Sequence, residues 1–188
     1  MEHQGTVILE TERLILRPFV GEDVASVFRN WTSDTKVTEF LRWPTHRDIS
    51  ITQKIVDEWI KNYQDLSFYQ WAIVLKEINE PIGTISVVDM DEKTKKVHIG
   101  YCIGSQWWHL GYTSEAFLRL ISFFFEEVKV NRIESQHDPA NINSGKVMEK
   151  CGLIYEGTLR QADWNNKGIV DACLYGMLAH DYFKKEKR

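Results

Sequence analysis

The 188-residue sequence is poor in cysteine and proline, with 3 and 4 residues respectively. Cys102, Cys151 and Cys173 form no CxxC pair and cannot all pair with one another, so neither a zinc site nor a disulfide framework is favoured. The 4 prolines and 11 glycines follow no period, which excludes collagen-like and low-complexity chains. We therefore expect a protein of a reducing compartment, of which the cytoplasm is the simplest.

The sequence also lacks a dominant charge and a long apolar run. Its 23 basic and 27 acidic residues give a net charge of -4, so no long-range field would recruit nucleic acid or anionic lipid. The most apolar stretch, residues 117–125, is interrupted by Arg119 and Ser122 and is shorter than the ~20 apolar residues that span a bilayer. The first ten residues lack the basic start and apolar core of a signal peptide. We expect neither a membrane nor a nucleic acid as partner.

What the sequence does contain is enough apolar material for one folded core. Hydrophobic residues make up 43% and aromatic residues 12%, which excludes a disordered chain. Since no linker or repeat divides the sequence, we expect a single domain over residues 1–188 with its core at about residues 11–183. The basic run at residues 184–188 is expected to be a solvated, frayed end.

Hydrophobic periodicity predicts a mixed α+β architecture. Apolar residues recur at helical spacing in four places, which predict four helices. The first begins at Val24, the second follows a capping-box pattern at residues 50–53, and the third and fourth begin near Ser114 and near Asn143. β-branched and aromatic runs between polar turns indicate an antiparallel meander, and the strand–helix–strand unit around the third helix makes its flanking strands parallel. The predicted strands cover residues 13–18, 69–75, 81–90, 96–103, 131–137, 153–160 and 168–178.

A strand that passes through a glycine-containing loop into a helix, over residues 97–115, is the most informative segment. Unpaired amides at a helix N-terminus and the positive end of the helix dipole form a local phosphate site whatever the net charge of the chain. Gly111 allows the backbone to approach an anion closely, although an ordinary turn glycine is the alternative.

The short helix near residue 143 presents a hydroxyl on its apolar side. Ser144 shares the spacing i, i+3, i+4 and i+7 with Val147, Met148 and Cys151, so its hydroxyl needs a partner. Capping of the helix by Ser144 or Asn141 is the alternative, and both roles can coexist.

Other site classes find little support. The histidines form no ligand motif with the scattered cysteines and carboxylates, so we expect no metal. No Gly-x-Ser-x-Gly elbow indicates a hydrolase, and the nucleotide-binding patterns GxxxxGK[ST] and GxGxxG are absent from the sequence.

A linked set of motifs resembles the GNAT family of N-acetyltransferases, most closely its ribosomal-protein alanine acetyltransferase-like branch, over about residues 11–183. The resemblance implies a GNAT-like fold, a mostly antiparallel mixed sheet with a splayed parallel strand pair and flanking helices. The matching segments are Thr11-Glu-Arg-Leu-Ile-Leu-Arg-Pro18, Trp108-His-Leu-Gly-Tyr-Thr113, Asn131-Arg-Ile-Glu134, Asp138-Pro-Ala-Asn-Ile-Asn-Ser144, Glu149-Lys-Cys-Gly-Leu153 and Tyr155-Glu-Gly-Thr-Leu-Arg160.

The resemblance implies acetyl-CoA as cosubstrate. In this family the loop before the third helix holds the pyrophosphate, the preceding strand pairs with the pantetheine arm, and an asparagine before the short helix binds that arm. Within the loop only Gly111 matches the family pattern strictly, since His109 and Thr113 replace smaller residues. The implied cofactor-binding residues are Tyr101, Cys102, Ile103, Trp108, His109, Leu110, Gly111, Tyr112, Thr113, Ser114, Asn141, Asn143 and Lys150.

Two catalytic residues are implied by the same resemblance. Ser144 is placed near the thioester sulfur as proton donor, because Met148 occupies the position where other branches carry a tyrosine. His98 falls where many relatives carry glutamate, and a neutral imidazole can accept the proton of the amine. The alternative for His98 is a structural role among its strand neighbours.

The resulting hypothesis is an acetyl-CoA-dependent N-acetyltransferase acting by direct attack of an amine. A protein N-terminal α-amino group or a small primary amine is the expected acceptor, and the acidic, aromatic-rich first half suits a cationic or amphipathic one. Phe40 and Trp43 are among the five aromatics that could line its pocket, with Trp31, Tyr69 and Trp71. A non-catalytic acyl-CoA-binding sensor is the alternative, and a homodimer is left open.

Overall fold

The computed structural model describes residues 1–186 and folds them around one mixed sheet of eight strands. In the sheet the strands follow the order 1-2-3-4-5-6-8-7, and the fifth and sixth form the one parallel pair among the described residues. The mixed sheet and its parallel pair confirm the prediction. The strands are β1 (Leu9–Glu10), β2 (Leu14–Arg17), β3 (Gln70–Leu75), β4 (Glu80–Asp91), β5 (Lys96–Ile103), β6 (Arg132–His137), β7 (Ile154–Asn165) and β8 (Gly168–Leu178).

Six α-helices accompany the sheet within residues 1–186. Two of them continue into π-helical turns, over Phe28–Thr32 and Phe124–Val128. None of the helices in this range is both long and apolar enough to cross a membrane. The helices are α1 (Val24–Val27), α2 (Thr35–Thr38), α3 (Ile49–Asn62), α4 (Tyr112–Phe123), α5 (Ile142–Lys150) and α6 (Ala179–Glu186).

The structure corrects several predicted boundaries. The Asp48 side chain caps α3 by accepting a hydrogen bond from Ser50 N at 2.7 Å, so the capping box predicted at residues 50–53 was wrong. The helix begins earlier than the predicted box implies, and an Asx cap satisfies one of the orphan amides of its first turn. The predicted frayed end was wrong as far as it is described, because α6 includes residues 184–186; residues 187 and 188 lie outside the described part.

Two apolar clusters cover opposite faces of the sheet. The larger one packs α4 against the central strands, with Phe117 and Leu120 fully buried. The smaller one packs α1 and α3 on the other face, where Val27 and Val56 are buried against β3. Because each such side chain contributes about 1.5–3 kcal/mol when buried, packing of these stripes stabilises the helices far more than their intrinsic propensity does.

The β7–β8 hairpin is longer than predicted. β7 continues to Asn165 through two register shifts, and Gln161, within the second of them, has a positive φ of 50°. These bulges break the alternation from which a strand is predicted, which explains why the prediction ended at residue 160. The end of the hairpin, residues 163–167, is called the hairpin tip below.

Candidate active site

The parallel strands β5 and β6 separate after a short paired stretch. Their register ends with His98 opposite Glu134, while both strands continue beyond it. One residue further, the buried Ser135 hydroxyl donates a 2.7 Å hydrogen bond to Ile99 O. A side chain thus replaces the backbone ladder, and a gap opens between the two strands.

A groove of about 750 Å³ runs along the part of β5 that lies beyond its last residue paired with β6. Tyr101 and Cys102 both line it although neighbouring side chains of a strand point to opposite faces, so the groove reaches both faces of the sheet. Burial raises the pKa of the Cys102 thiol to about 12, which keeps it protonated. The lining comprises Lys36, Val37, Glu39, Phe40, Leu41, Tyr101, Cys102, Ile103, Trp107, Trp108, His109, Leu110, Gly111, Tyr112, Thr113, Ser114, Ala140, Asn141, Ile142, Asn143, Ser144, Lys146, Val147 and Lys150.

All the predicted cofactor-binding residues, and Ser144, therefore line one groove, although their roles remain predictions. His98 is the predicted site residue that does not line it. Of the aromatics of the first half, Phe40 lines the groove, whereas Trp31, Tyr69 and Trp71 are core residues.

One end of the groove is formed by the anion loop, residues 109–114. His109 and Gly111 have positive φ angles of 63° and 83°, which turn the chain sharply into α4. The first helical bond joins Glu115 N to Gly111 O at 3.0 Å, so the preceding amides of the helix are available to a ligand. These donors, at the positive end of the helix dipole, suit an anion.

Two cationic side chains lie beside this loop. A Cβ on Gly111 would lie 3.6 Å from Lys150 Nζ and 3.6 Å from Arg13 Nη2. Arg13 is held there by Glu115, with Nη2 to Oε2 at 2.6 Å, and its Nη1 donates to Leu110 O at 3.1 Å. Burial alone would raise the pKa of Glu115, but hydrogen bonds from Thr11 and Arg13 outweigh burial and lower that pKa. Arg13 was missed as a site residue because it lies about 100 residues away in the sequence.

A pair of hydroxyl groups lies where α5 meets β5. Tyr101 Oη donates to Ser144 O at 2.9 Å and is 3.1 Å from Ser144 Oγ. Burial raises the pKa of the Tyr101 phenol, so this hydroxyl stays protonated through the physiological range. Asn141 Oδ1 accepts from Ser144 N at 3.4 Å, which shows the capping role that was considered for Asn141. Sequence analysis named Tyr101 only as a cofactor-binding residue and missed its contact with Ser144, in which the tyrosine comes from the strand instead of the helix.

Gly145 is explained by its neighbour on β6. A Cβ at this position would lie 2.6 Å from His137 Nε2, so the imidazole fills the space that a side chain on α5 would need. His137 Nδ1 donates to Asp138 O at 2.8 Å, and its buried Nε2 has no hydrogen-bond partner among the described residues. The close approach of α5 to β6 therefore depends on this glycine.

His98 belongs to an ionic cluster on the other face of the sheet. Its Nδ1 lies 3.5 Å from Glu134 Oε1, and Glu134 also accepts from Lys96 Nζ at 2.7 Å and Arg132 Nε at 3.0 Å. Burial would raise the pKa of Glu134, but these three donors outweigh it and lower that pKa to about 2. Glu134 is therefore ionised at neutral pH. Within residues 1–186, no group of three or more His, Cys, Asp or Glu could hold a metal ion.

The hairpin tip joins the two walls at the other end of the groove. Asn166 N donates to Leu41 O at 3.1 Å, and its side-chain amide donates to Thr38 O and Trp43 O, each at 2.8 Å. Asn165 Nδ2 donates to Asp138 Oδ2 at 2.8 Å, just before α5. The hairpin tip thus links the groove-lining segment 36–41 to the segment that precedes α5.

Comparison with known proteins agrees with this geometry. A family model described as "Acetyltransferase (GNAT) domain" matches residues 13–154. An uncharacterised N-acetyltransferase p20 of Bacillus licheniformis is 31% identical over 178 residues, which cover 93% of this chain and 97% of that protein. A putative ribosomal N-acetyltransferase, YdaF of Bacillus subtilis, is 26% identical over 169 residues, covering 89% and 91% of the two chains.

The fold is also similar to that of solved acetyltransferases. The structure of RimL, a ribosomal L7/L12 α-N-protein acetyltransferase in complex with coenzyme A, superposes with a TM-score of 0.82. The match covers 93% of this chain and 99% of that one at 20% sequence identity, a level at which the likeness shows the fold alone.

Proposed function

The chain belongs to the GNAT family of acetyltransferases, and we propose that it transfers the acetyl group of acetyl-CoA to a primary amine by direct attack. The acceptor is a protein N-terminal α-amino group or a small amine. One observation carries this proposal: a single groove connects the anion loop with the Tyr101–Ser144 hydroxyl pair and continues along β5 beyond its last residue paired with β6.

The residues at the anion loop fit the cosubstrate's phosphates. The amides of residues 112–114 would donate to the pyrophosphate, while Lys150 and Arg13 supply compensating charge close to Gly111. Because the chain's net charge of -4 would not attract a polyanion at long range, the phosphates need donors and positive charge supplied locally, as they are here. The exposed edges of β5 and β6 beyond the gap are free to pair with the amide-containing arm of coenzyme A.

Acetyl-CoA supplies the thioester whose C–S bond breaks as the C–N bond to the amine forms. The departing sulfur needs a proton, and Ser144 Oγ is the donor we propose; this oxygen regains a proton from water, while the Tyr101 hydroxyl 3.1 Å away hydrogen-bonds to it. Because burial raises the pKa of Tyr101, this residue keeps its proton and hydrogen-bonds as a neutral group.

The amine would approach from the opposite face of the sheet. On β5 the side chains of His98 and Tyr101 point to opposite faces of the sheet. His98 is the last residue of β5 paired with β6, and Tyr101 lies beyond the point where the two strands separate. We propose that His98 accepts the amine proton through a water molecule, because its ring does not line the groove itself. Glu134, ionised beside its Nδ1, would stabilise the imidazolium that results.

Two measurements test the proposed function. Calorimetry should show coenzyme A binding to the wild-type chain, and a thiol-release assay with acetyl-CoA and a panel of amines and peptides should show turnover, with mass spectrometry of the products giving an N-acetyl group. Tight binding without turnover across the panel would favour an acyl-CoA sensor. Acetylation of alcohols or thiols alone would overturn the proposal.

A further inference from the structure

The hairpin tip places a largely buried carboxylate against Arg42, the residue that follows the groove-lining Leu41. Asp163 Oδ1 accepts from Arg42 Nη2 at 2.6 Å and Arg42 Nε at 3.0 Å. Asp163 Oδ2 accepts from Gln136 Nε2 at 2.6 Å. The Asp163 side chain is 15% exposed whereas that of Arg42 is 55% exposed, so the anion is enclosed and its cation is mostly in solvent.

This carboxylate lies on the face of the sheet from which the amine approaches in the proposed function. Gln136 follows Glu134 by two residues on β6, so its side chain leaves the same face as Glu134, which contacts His98. Gln136 also lies beyond the last paired residues of the parallel strands. The carboxylate it holds is therefore beside the gap.

Resting on the proposed function, we propose that Asp163 binds a second cationic group of the acceptor, and that the Arg42 guanidinium occupies this place until the acceptor arrives. The acceptor is then an amine that carries another ammonium or guanidinium group near the amine that is acetylated. Both sources of that chemistry, a small diamine and a peptide with a basic residue next to its N-terminus, are compatible with a site of this kind.

The local geometry allows the exchange. Both Arg42 nitrogens donate to the same oxygen, so the pair lacks the two parallel bonds of a forked arginine–carboxylate contact. Because the Arg42 side chain is mostly in solvent, its ion pair with Asp163 adds little to stability. When Arg42 leaves, Gln136 and the Trp164 amide, which donates to Oδ1 at 2.7 Å, still hold the carboxylate in place. The site is thus preorganised for a cation.

Calorimetry on the full chain saturated with coenzyme A tests this assignment with two pairs of probes. The pairs are 1,4-diaminobutane with butylamine, and Ala-Lys-Ala with Ala-norleucine-Ala. Within the pair that the site accepts, the wild type should bind the doubly charged member about tenfold more tightly, the factor expected for one hydrogen bond to a charged group. Asp163→Asn should abolish that preference, and Arg42→Gln should increase it by up to about fivefold, since it removes an internal competitor.

Asp171→Asn is the matched control, because it removes the same charge from the same hairpin, where Asp171 Oδ1 accepts from Gln161 N at 2.9 Å. It should leave the preference unchanged. Equal binding of both members in both pairs by the wild type, or an undiminished preference in Asp163→Asn, would overturn the inference. Thermal unfolding checks that each variant is folded. Failure of the proposed function has a different signature, namely selective binding without acetylated product.

Discussion

The two ends of the groove are built in different ways. The anion loop is one contiguous segment that acts through backbone amides and needs only a glycine and a helix start. The hairpin-tip end is made of side chains, and Arg42 and Asp163 are 121 residues apart. A site made of backbone tolerates many side chains and has a local signature, whereas a site made of side chains exists only when distant segments meet. We therefore expect the anion-loop end to tolerate side-chain substitutions better than the hairpin-tip end.

The largest expected effect tests whether the anion loop works through backbone and local charge. Gly111→Asp should weaken coenzyme A binding by about 100-fold or more, since a like charge next to a bound anion costs several kcal/mol. Gly111→Asn is the matched variant, because asparagine has the same shape, tolerates a φ of 83° better than most residues and carries no charge. Calorimetry of both variants separates charge from backbone strain. Equal affinities would mean that the phosphates bind elsewhere.

That contrast between the ends also explains how much could be predicted from sequence. The sheet, the parallel pair and the groove-lining segments 108–114 and 141–144 follow from periodicity and short motifs that lie together in the chain. Arg13, Tyr101's contact with Ser144 and the hairpin tip were missed. Each depends on a long-range contact or on bulges in β7, which carry no periodic signal.

The second expected effect concerns the hydroxyl pair between the two ends. Ser144→Ala should lower kcat by about 100-fold, near the bottom of the range for proton transfer, because water replaces a hydroxyl in part. The KM for acetyl-CoA should change much less. Tyr101→Phe removes the partner hydroxyl, and the double variant should be little slower than Ser144→Ala, since the two groups act as one unit. Fully additive losses in steady-state kinetics would contradict the pairing.

The third effect concerns the packing of α5 on β6, which sets the distance between the hydroxyl pair and the gap. Gly145→Ala should lower the free energy of unfolding by about 1–3 kcal/mol, because its Cβ would lie 2.6 Å from His137 Nε2. Replacing His137 by valine in the same chain should recover most of that loss. Gly21→Ala is the control, since a Cβ there meets nothing within 4 Å. Urea unfolding of the wild type and these three variants gives the comparison, and an equal cost at both glycines would refute the steric explanation.

The smallest effect is expected at His98, whose ring is outside the groove. His98→Ala should lower kcat/KM by about tenfold at neutral pH, less than a directly contacting base, because water can carry the proton to other acceptors. Its signature is in the pH profile. In the wild type, activity should fall towards acid pH, since a general base acts only in its unprotonated form.

The His98→Ala variant should lose that acidic limb and keep its lower plateau of activity. The His98→Gln variant, whose side chain fills a similar volume next to Glu134, should behave in the same way. A structural role predicts a different result, in which the glutamine variant restores activity and both variants keep the limb. In that case the ionisation would belong to the amine itself. Glu134 cannot account for the limb, because its three donors hold its pKa at about 2, below the range in which the profile is measured.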